Sequence, residues 1–571
     1  QGMHLNPCMV SKNMVKYTIN LCFGRKYTMN DLADRLFPHI HTLPKDMEIR
    51  FPPRNLPEGA KVTRIAPSPT GFVHFGNLFP ALCSERLARQ SGGVFLLRIE
   101  DTDAKREVEG AVDLIISSFA YYGMDFDEGA VIGGDFGVYG PYRQSQRAQI
   151  YQTFAKQLVR EGKAYPCFCS EEELNEIRQA QENEKATPGY YGKWSRCSQM
   201  TKEEIDAKLD AGLPFVLRLH ALGDGKKKFK FTDLVKGKLE LPENEIDHVL
   251  LKSDGIPTYH FAHAIDDHLM RVTHVVRGEE WLSSLPLHVQ LFDMLGFCRP
   301  HYMHISLLMK QDGNSKRKLS KRHDPEAALT FYRQEGYPAA SVREYVMTVL
   351  NSNYEEWRAA NSNAALEAFP FDTKKMSASG ALFDLQKLND VSKNTIAFMS
   401  AEQVWELLLD WSQEYDPTLY AMLSTDPQKA LAILSIGRNC AKPRKDFAMW
   451  KGVKEYLDFF YEDHFAIREP FPENVSREDI DAVLTKYAQI YTPDDDQAVW
   501  FEKVSNLAAE LGFAAKTKEY KQNPHAYKGH VGDISMIIRI AVTGKTMSPD
   551  LYEVMKILGK DLVEKRLALA K

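Results

Sequence analysis

The sequence predicts a parallel α/β domain, interrupted by an α+β insertion and followed by an all-helical half. Three observations predict it. Residues 61–97 spell strand, loop, helix and strand in succession, the order of a βαβ unit. A second α/β stretch runs from "HVLLKSDGIPTYHFAHAIDDHLMRVTHVVRG" to "LHVQLFDMLGF", after about eighty residues of different character at 164–245. Beyond residue 326 strand signals fade and helical patterns take over, as in "SAEQVWELLLDWSQEY", "AVWFEKVSNLAAELGF" and "DLYEVMKILGKDLVEKRLA".

Each element has a local reason. "MNDLADRLFPHI" is a short helical arm, and the prolines of "FPPRNLPEGA" make the next ten residues a linker. "KVTRIA" is a buried strand. "PSPTG" must turn, because its two prolines offer no donors to a ladder. In "NLFPALCSERLARQSGG", Asn77 caps the helix, Pro80 is tolerated in the first turn, and Gly92-Gly93 close it. "VFLLRIE" is the second strand. Ahead of all this, Lys12, Lys16, Arg25 and Lys26 precede the first acidic residue, Asp31. That weak likeness to a transit peptide is outweighed by an ordinary basic leader, and Gln1-Gly2 before Met3 read as an expression remnant.

Size and composition bound the function. A chain of 571 residues is too long for one core, so about three to five domains are expected. No apolar run approaches the ~18–20 residues that span a bilayer. Eight scattered cysteines argue against a disulfide framework and for a reducing, cytoplasmic setting. The net charge of −5 argues against bulk electrostatic RNA binding but leaves room for a basic stripe.

The chemistry begins at "RIAPSPTGFVHFGN", residues 64–77. Here a strand's loop meets a helix N-terminus, where free backbone N–H groups favour phosphate. His74 can donate to a phosphoryl oxygen, and Gly76 lets a flat ring approach the backbone. No G-x-G-x-x-G is present. "TGKT" at 543–546 is not a P-loop, because Arg539 stands where its first glycine belongs. About 240 residues after His74, "KRKLSKR" places Lys318 and Lys321 three apart in a serine-containing loop suited to a triphosphate.

Together these two segments resemble the paired signatures of class I aminoacyl-tRNA synthetases. "RIEDTD" (98–103), "GPYRQSQR" (140–147), "LLKSDGIPTYHFA" (250–262), "DDHLMRVTHVVRGEEWLSS" (266–284), "KLSKRH" (318–323), "SGALFDLQKLNDVSKNTI" (379–396) and "VGDISMIIRIAVTG" (531–544) extend the likeness. Over about residues 30–571 the chain resembles the bacterial-type glutamyl-tRNA synthetase family.

The resemblance implies a Rossmann-like nucleotide-binding catalytic domain in two halves (61–163 and 246–325) after an N-terminal arm (1–60). It implies an acceptor-binding insertion (164–245), a helical stem-contact domain (326–430) and a helical anticodon-binding domain (431–571). It implies activation of L-glutamate by ATP with Mg²⁺, then transfer to the 3′-terminal adenosine of glutamate tRNA by a monomeric enzyme. His74, Gly76, Lys318 and Lys321 match catalytic ATP-binding positions, with Glu280, Trp281 and Leu308 bordering the nucleotide. Arg64, Ser68, Glu100, Tyr259, His263 and Arg277 match the amino-acid pocket. Arg64 faces the side-chain carboxylate, which a guanidinium fork fits bidentately. Glu100 meets the ammonium, although a salt bridge to Arg98 or Arg106 is the plainer reading of "RIED". Two departures stand out: Asn77 occupies a position that varies in the family, and the loop "QDGNSKR" is long.

Cys167, Cys169 and Cys197 resemble the zinc-binding insertion of some members, with Tyr190, Tyr191 or a neighbour as fourth ligand. Three metal-free cysteines are the alternative. "KKKFKF" (226–231) suits either the acceptor stem or a solvated edge strand. Arg438, Lys442, Arg444 and Lys445 are candidates for contact with tRNA near the anticodon. A glutaminyl-tRNA synthetase would carry β-barrels at the C-terminus instead of helices. The glutamyl-queuosine enzyme lacks the tail, and a silent RNA-binding paralogue would have lost the lysine loop or His-x-Gly. Charging of glutamine tRNA as well as glutamate tRNA stays open.

Overall fold

The computed structural model describes residues 29–571, except Ala104, Lys321 and Ser379. The basic leader and Gln1-Gly2 lie outside the described residues. The chain divides into two compact units, one running to Thr330 and including Val346–Phe383, the other made of Phe331–Tyr345 and Asp384–Lys571.

The first unit opens with α1 (Met29–Leu36) and α2 (Pro44–Arg50), followed by the coil linker. Strand β1 (Val62–Ile65) is buried along its whole length, its polar residues Thr63 and Arg64 included. Helix α3 (Leu78–Ser91) follows and ends at Gly92, whose φ of 65° is the left-handed cap the glycine pair announced. Asn77 sits at the cap position but makes no side-chain cap bond. A short 3-10 turn, Phe75–Asn77, takes up the start of the helix instead.

Strand β2 (Val94–Leu97) pairs parallel with β1, as a βαβ unit must. After α4 (Ala111–Tyr121), β3 (Glu128–Val131) pairs parallel with β2 and antiparallel with β4 (Gly134–Phe136). Helix α5 (Ala148–Arg160) leads into β5 (Ala164–Cys167).

Next come α6 (Glu171–Asn183), α7 (Lys202–Asp210), β6 (Val216–Leu219), the hairpin β7 (Lys228–Asp233) and β8 (Gly237–Pro242), and β9 (Val249–Leu251). β5, β6 and β9 form an antiparallel sheet, so its third strand lies beyond residue 245. Capping boxes at Ser170 and Thr201 start α6 and α7.

Helix α8 (Tyr259–Leu269), β10 (His274–Gly278), α9 (Leu285–Leu295) and β11 (His301–Ile305) follow. β10 and β11 are parallel. They meet the first sheet where Thr273 N–H donates to Val62 O at 2.9 Å. β12 (Leu308–Asp312), β13 (Ser315–Lys318) and β14 (Ala381–Phe383) form a further small sheet. β14 is a short strand within the stretch expected to be all-helical, and it pairs parallel with β12.

The second unit is helical, around a core that includes Val404, Leu408, Ile433, Val483, Val504, Ile534 and Ile537. Gly544 closes helix Val531–Thr543 with φ 74°. "TGKT" therefore sits at a helix C-terminus, where carbonyls repel phosphate. A P-loop needs the opposite end. No described helix is long and apolar enough to cross a membrane.

Candidate active site

A cavity of about 670 Å³ opens over the end of β1 and the start of α3. Its walls include Arg64, Ser68, His74, Gly76, Glu100, Tyr259, Arg277, Glu280, Trp281, Leu308 and Lys318. These come from segments up to 254 positions apart in sequence, and the parallel sheet brings them to one rim. Lys321 lies outside the described residues.

At the end of the cavity formed by the loop after β1, Gly76 N–H donates to His74 Nδ1 at 2.8 Å. That bond fixes the tautomer: Nδ1 accepts, so Nε2 carries the proton and can donate to an anion. A Cβ on residue 76 would lie 2.8 Å from the same Nδ1. The glycine is needed for this turn, in addition to any approach by a ring. Lys318 comes from β13, paired with Met309 of β12.

At the other end the pocket floor is a buried ionic network. Arg64 Nε lies 3.3 Å from Asp267 Oδ2. Arg98 bonds Asp267 at 2.6 Å and Glu100 at 3.2 Å. Arg147 bonds Asp266 at 2.7 Å, and Gln144 and Tyr151 bond the same carboxylate. Arg64 and Arg98 outweigh burial and hold Asp267 well below the usual carboxylate range. Both readings of Glu100 hold at once: it lines the cavity and pairs with Arg98, while Arg106 pairs with Asp103. Burial pushes Glu100 up to about 7 against the pull of Arg98 and Arg64.

His263 departs from expectation. It is fully buried and does not line the cavity. Its Nε2 bonds Tyr302 Oη at 2.9 Å, its Nδ1 lies 3.0 Å from Asp267, and Tyr259 stacks over it at 5.9 Å. It supports the pocket from behind, because Tyr259 occupies the surface it would have offered.

The sequence reading did not single out Asp267, His288, His304 or Asp233, which brace the pocket. "AIDDHL" carried a signal for the first of these. Adjacent carboxylates beside Phe261, Ala262, Ala264, Ile265 and Leu269 in one helix demand buried cationic partners.

The three cysteines converge, their sulfurs within 4.8 Å of one another. Tyr190 Oη lies 3.2 Å from Cys169 Sγ and accepts from Cys197 N–H at 3.0 Å. Tyr191 points elsewhere, donating to Thr187 O. Of the two tyrosines, Tyr190 is thus the one at the cluster. Hydrogen bonds within the cluster hold Cys167 below the usual thiol range and push Cys169 above it.

In the helical unit Arg438 is half-buried and donates to the carbonyls of Leu434, Ile396 and Met399. It staples backbone, so it is not presented to RNA. Arg444 is exposed but pairs with Asp446 at 2.7 Å; Lys442 and Lys445 are exposed. On β7, lysines 228 and 230 are exposed, while Phe229 and Phe231 are half-buried.

Residues 61–390 match the family model for the catalytic domain of class I tRNA synthetases (E and Q). Residues 444–571 match an anticodon binding domain. The glutamate–tRNA ligase of Acetivibrio thermocellus is 54% identical over 537 residues, 94% of this chain and 98% of that protein. The glutamate–tRNA ligase of Clostridium perfringens strain 13 is 47% identical, covering 94% of this chain and 99% of its own length. The crystal structure of glutamate-tRNA synthetase from Elizabethkingia anophelis superposes with a TM-score of 0.69 at 28% identity, over 90% of this chain and 99% of that one. With the rim of the sheet carrying both signature segments, these similarities lead to one conclusion: the chain belongs to the glutamate–tRNA ligase family of class I aminoacyl-tRNA synthetases.

Proposed function

We propose that this cavity binds ATP and L-glutamate side by side, joins them, and passes the glutamyl group to glutamate tRNA. One observation carries the reading. His74, Gly76 and Lys318 line the same cavity as Arg64, Glu100, Tyr259 and Arg277, so phosphate donors and an amino-acid pocket share one space.

The glutamate α-carboxylate oxygen attacks the α-phosphorus of ATP, and the bond to the leaving pyrophosphate breaks. The 3′-terminal ribose hydroxyl of the tRNA then attacks the acyl carbon and releases AMP. Positioning and charge stabilisation do most of the work. His74 Nε2–H and Lys318 stabilise charge on the phosphates, and Lys321 takes the same role by resemblance. Arg64 receives the side-chain carboxylate and Glu100 the ammonium. Mg²⁺ accompanying ATP supplies further charge neutralisation.

Three thiols and a tyrosine hydroxyl suit a tetrahedral Zn²⁺ holding the insertion's fold. In the second unit Lys442, Arg444 and Lys445 are the proposed contacts to the anticodon end. The enzyme acts as a monomer in the cytoplasm.

Charging tests the reading. Glutamate, ATP and glutamate tRNA should give acid-precipitable glutamyl-tRNA with matching release of AMP. Charging with glutamine on glutamine tRNA alone would overturn it.

A further inference from the structure

Arg277 differs from the three arginines of the ionic network under the pocket. Arg64, Arg98 and Arg147 each pair with a carboxylate. Arg277 instead donates to two imidazoles and a carbonyl. Its Nε donates to His304 Nε2 at 2.9 Å, its Nη1 to His288 Nδ1 at 2.9 Å, and its Nη2 to Trp281 O at 3.4 Å. Both imidazoles are fully buried, and the guanidinium lies 4.7 Å over the Tyr302 ring.

An arginine can only donate, so each imidazole must present a lone pair. His304 can do so because its other nitrogen, Nδ1, donates to Asp233 Oδ2 at 2.7 Å. Asp233 is itself fixed by N–H donors from Val235 at 2.9 Å, Lys236 at 2.8 Å and His304 at 3.2 Å. His288 Nε2–H donates to His260 Nδ1 at 2.9 Å. Burial holds both His304 and His288 below the ordinary imidazole range, so both are neutral acceptors.

Asp233 belongs to the insertion hairpin. Alternation along β7 puts it on the inner face with Phe229 and Phe231, and Phe231 lies 5.9 Å from Tyr302. The inserted hairpin therefore reaches the amino-acid pocket through one chain of hydrogen bonds.

We propose that Asp233, His304 and His288 are positioning residues for glutamate: they aim Arg277 while leaving its positive charge uncompensated for a substrate carboxylate. A carboxylate in place of either histidine would orient the arginine equally well but neutralise it. The neutral imidazoles separate orientation from charge. This inference rests on the glutamate-pocket reading of Arg277.

The test is glutamate-dependent pyrophosphate exchange, with glutamate tRNA present, by full-length His304→Phe, His304→Gln and Asp233→Asn. Phenylalanine keeps the bulk and loses the acceptor. Its KM for glutamate should rise about tenfold, with kcat and the KM for ATP within about threefold. Glutamine restores an acceptor near Nε2 and should recover most of that loss. Asp233→Asn turns an amide N–H toward a donor and should raise the glutamate KM severalfold. If the phenylalanine variant loses its cooperative melting transition, the near-isosteric Asp233→Asn decides alone.

An unchanged glutamate KM in the folded variants would overturn the proposal. So would an equal loss for both substrates that glutamine does not relieve. Wild-type protein lacking glutamate-dependent exchange would instead overturn the pocket reading itself.

Discussion

Replacing Glu100 by glutamine separates the charge of the group proposed to bind the ammonium from its shape. The carboxyl is pushed up to about 7 by burial, partly offset by Arg98 and Arg64. Only its ionised form attracts the substrate ammonium. With a midpoint near pH 7, about one-eleventh is ionised at pH 6 and about ten-elevenths at pH 8. The KM for glutamate should therefore fall about tenfold between those values. Burial holds the nearby His260 and His263 down at about 4, so neither changes charge in this window. In Glu100→Gln the charge-assisted bond is lost, a cost of ~1.5–3 kcal/mol, so the KM at pH 8 should rise about 10- to 150-fold. The slope should vanish, and the gap to wild type should narrow by about tenfold at pH 6. The assay is pyrophosphate exchange at saturating ATP and glutamate tRNA and constant ionic strength. A variant that keeps the wild-type slope, or a wild type with none, would refute this role for Glu100.

Lys321→Ala should reduce kcat of activation far more than ATP affinity, by ~2–4 kcal/mol in the barrier; near-normal exchange would refute it. Arg98→Met removes a fully buried cation from Asp267 and Glu100. It should destabilise the first unit by ~3–5 kcal/mol, seen as an earlier urea transition, whereas an unchanged midpoint would deny the network that role. Protein purified without chelator should carry about one zinc, and Cys197→Ser should lose it. A wild-type content below ~0.2 zinc per chain would sink the metal reading.

Much of the site was legible because its chemistry is local. The His74 turn, the strand before it and the glycine that closes α3 each follow from neighbours in sequence. Lys318 was readable from a motif of fixed spacing. What escaped reading depends on pairing across the fold. His263 looked like a pocket residue until Tyr259, one turn earlier on α8, was seen to cover it. Arg438 reads in the sequence as a tRNA contact, but three carbonyls from other turns claim it. Asp233 lay in plain view in "KFKFTD", where period-two alternation puts an acid on the apolar face. Its partner His304 is 71 residues away, and no local rule joins them. Strand β14 is three residues long, and its pairing with β12 supplies the order that its own sequence does not.

The central claim is that one cavity activates glutamate. Glutamate-dependent exchange of pyrophosphate into ATP tests it most directly, run with and without glutamate tRNA and with glutamine as control. The account predicts exchange with glutamate and none with glutamine, appearing in the presence of the tRNA. Exchange with glutamine and not with glutamate would contradict it and reassign Arg64.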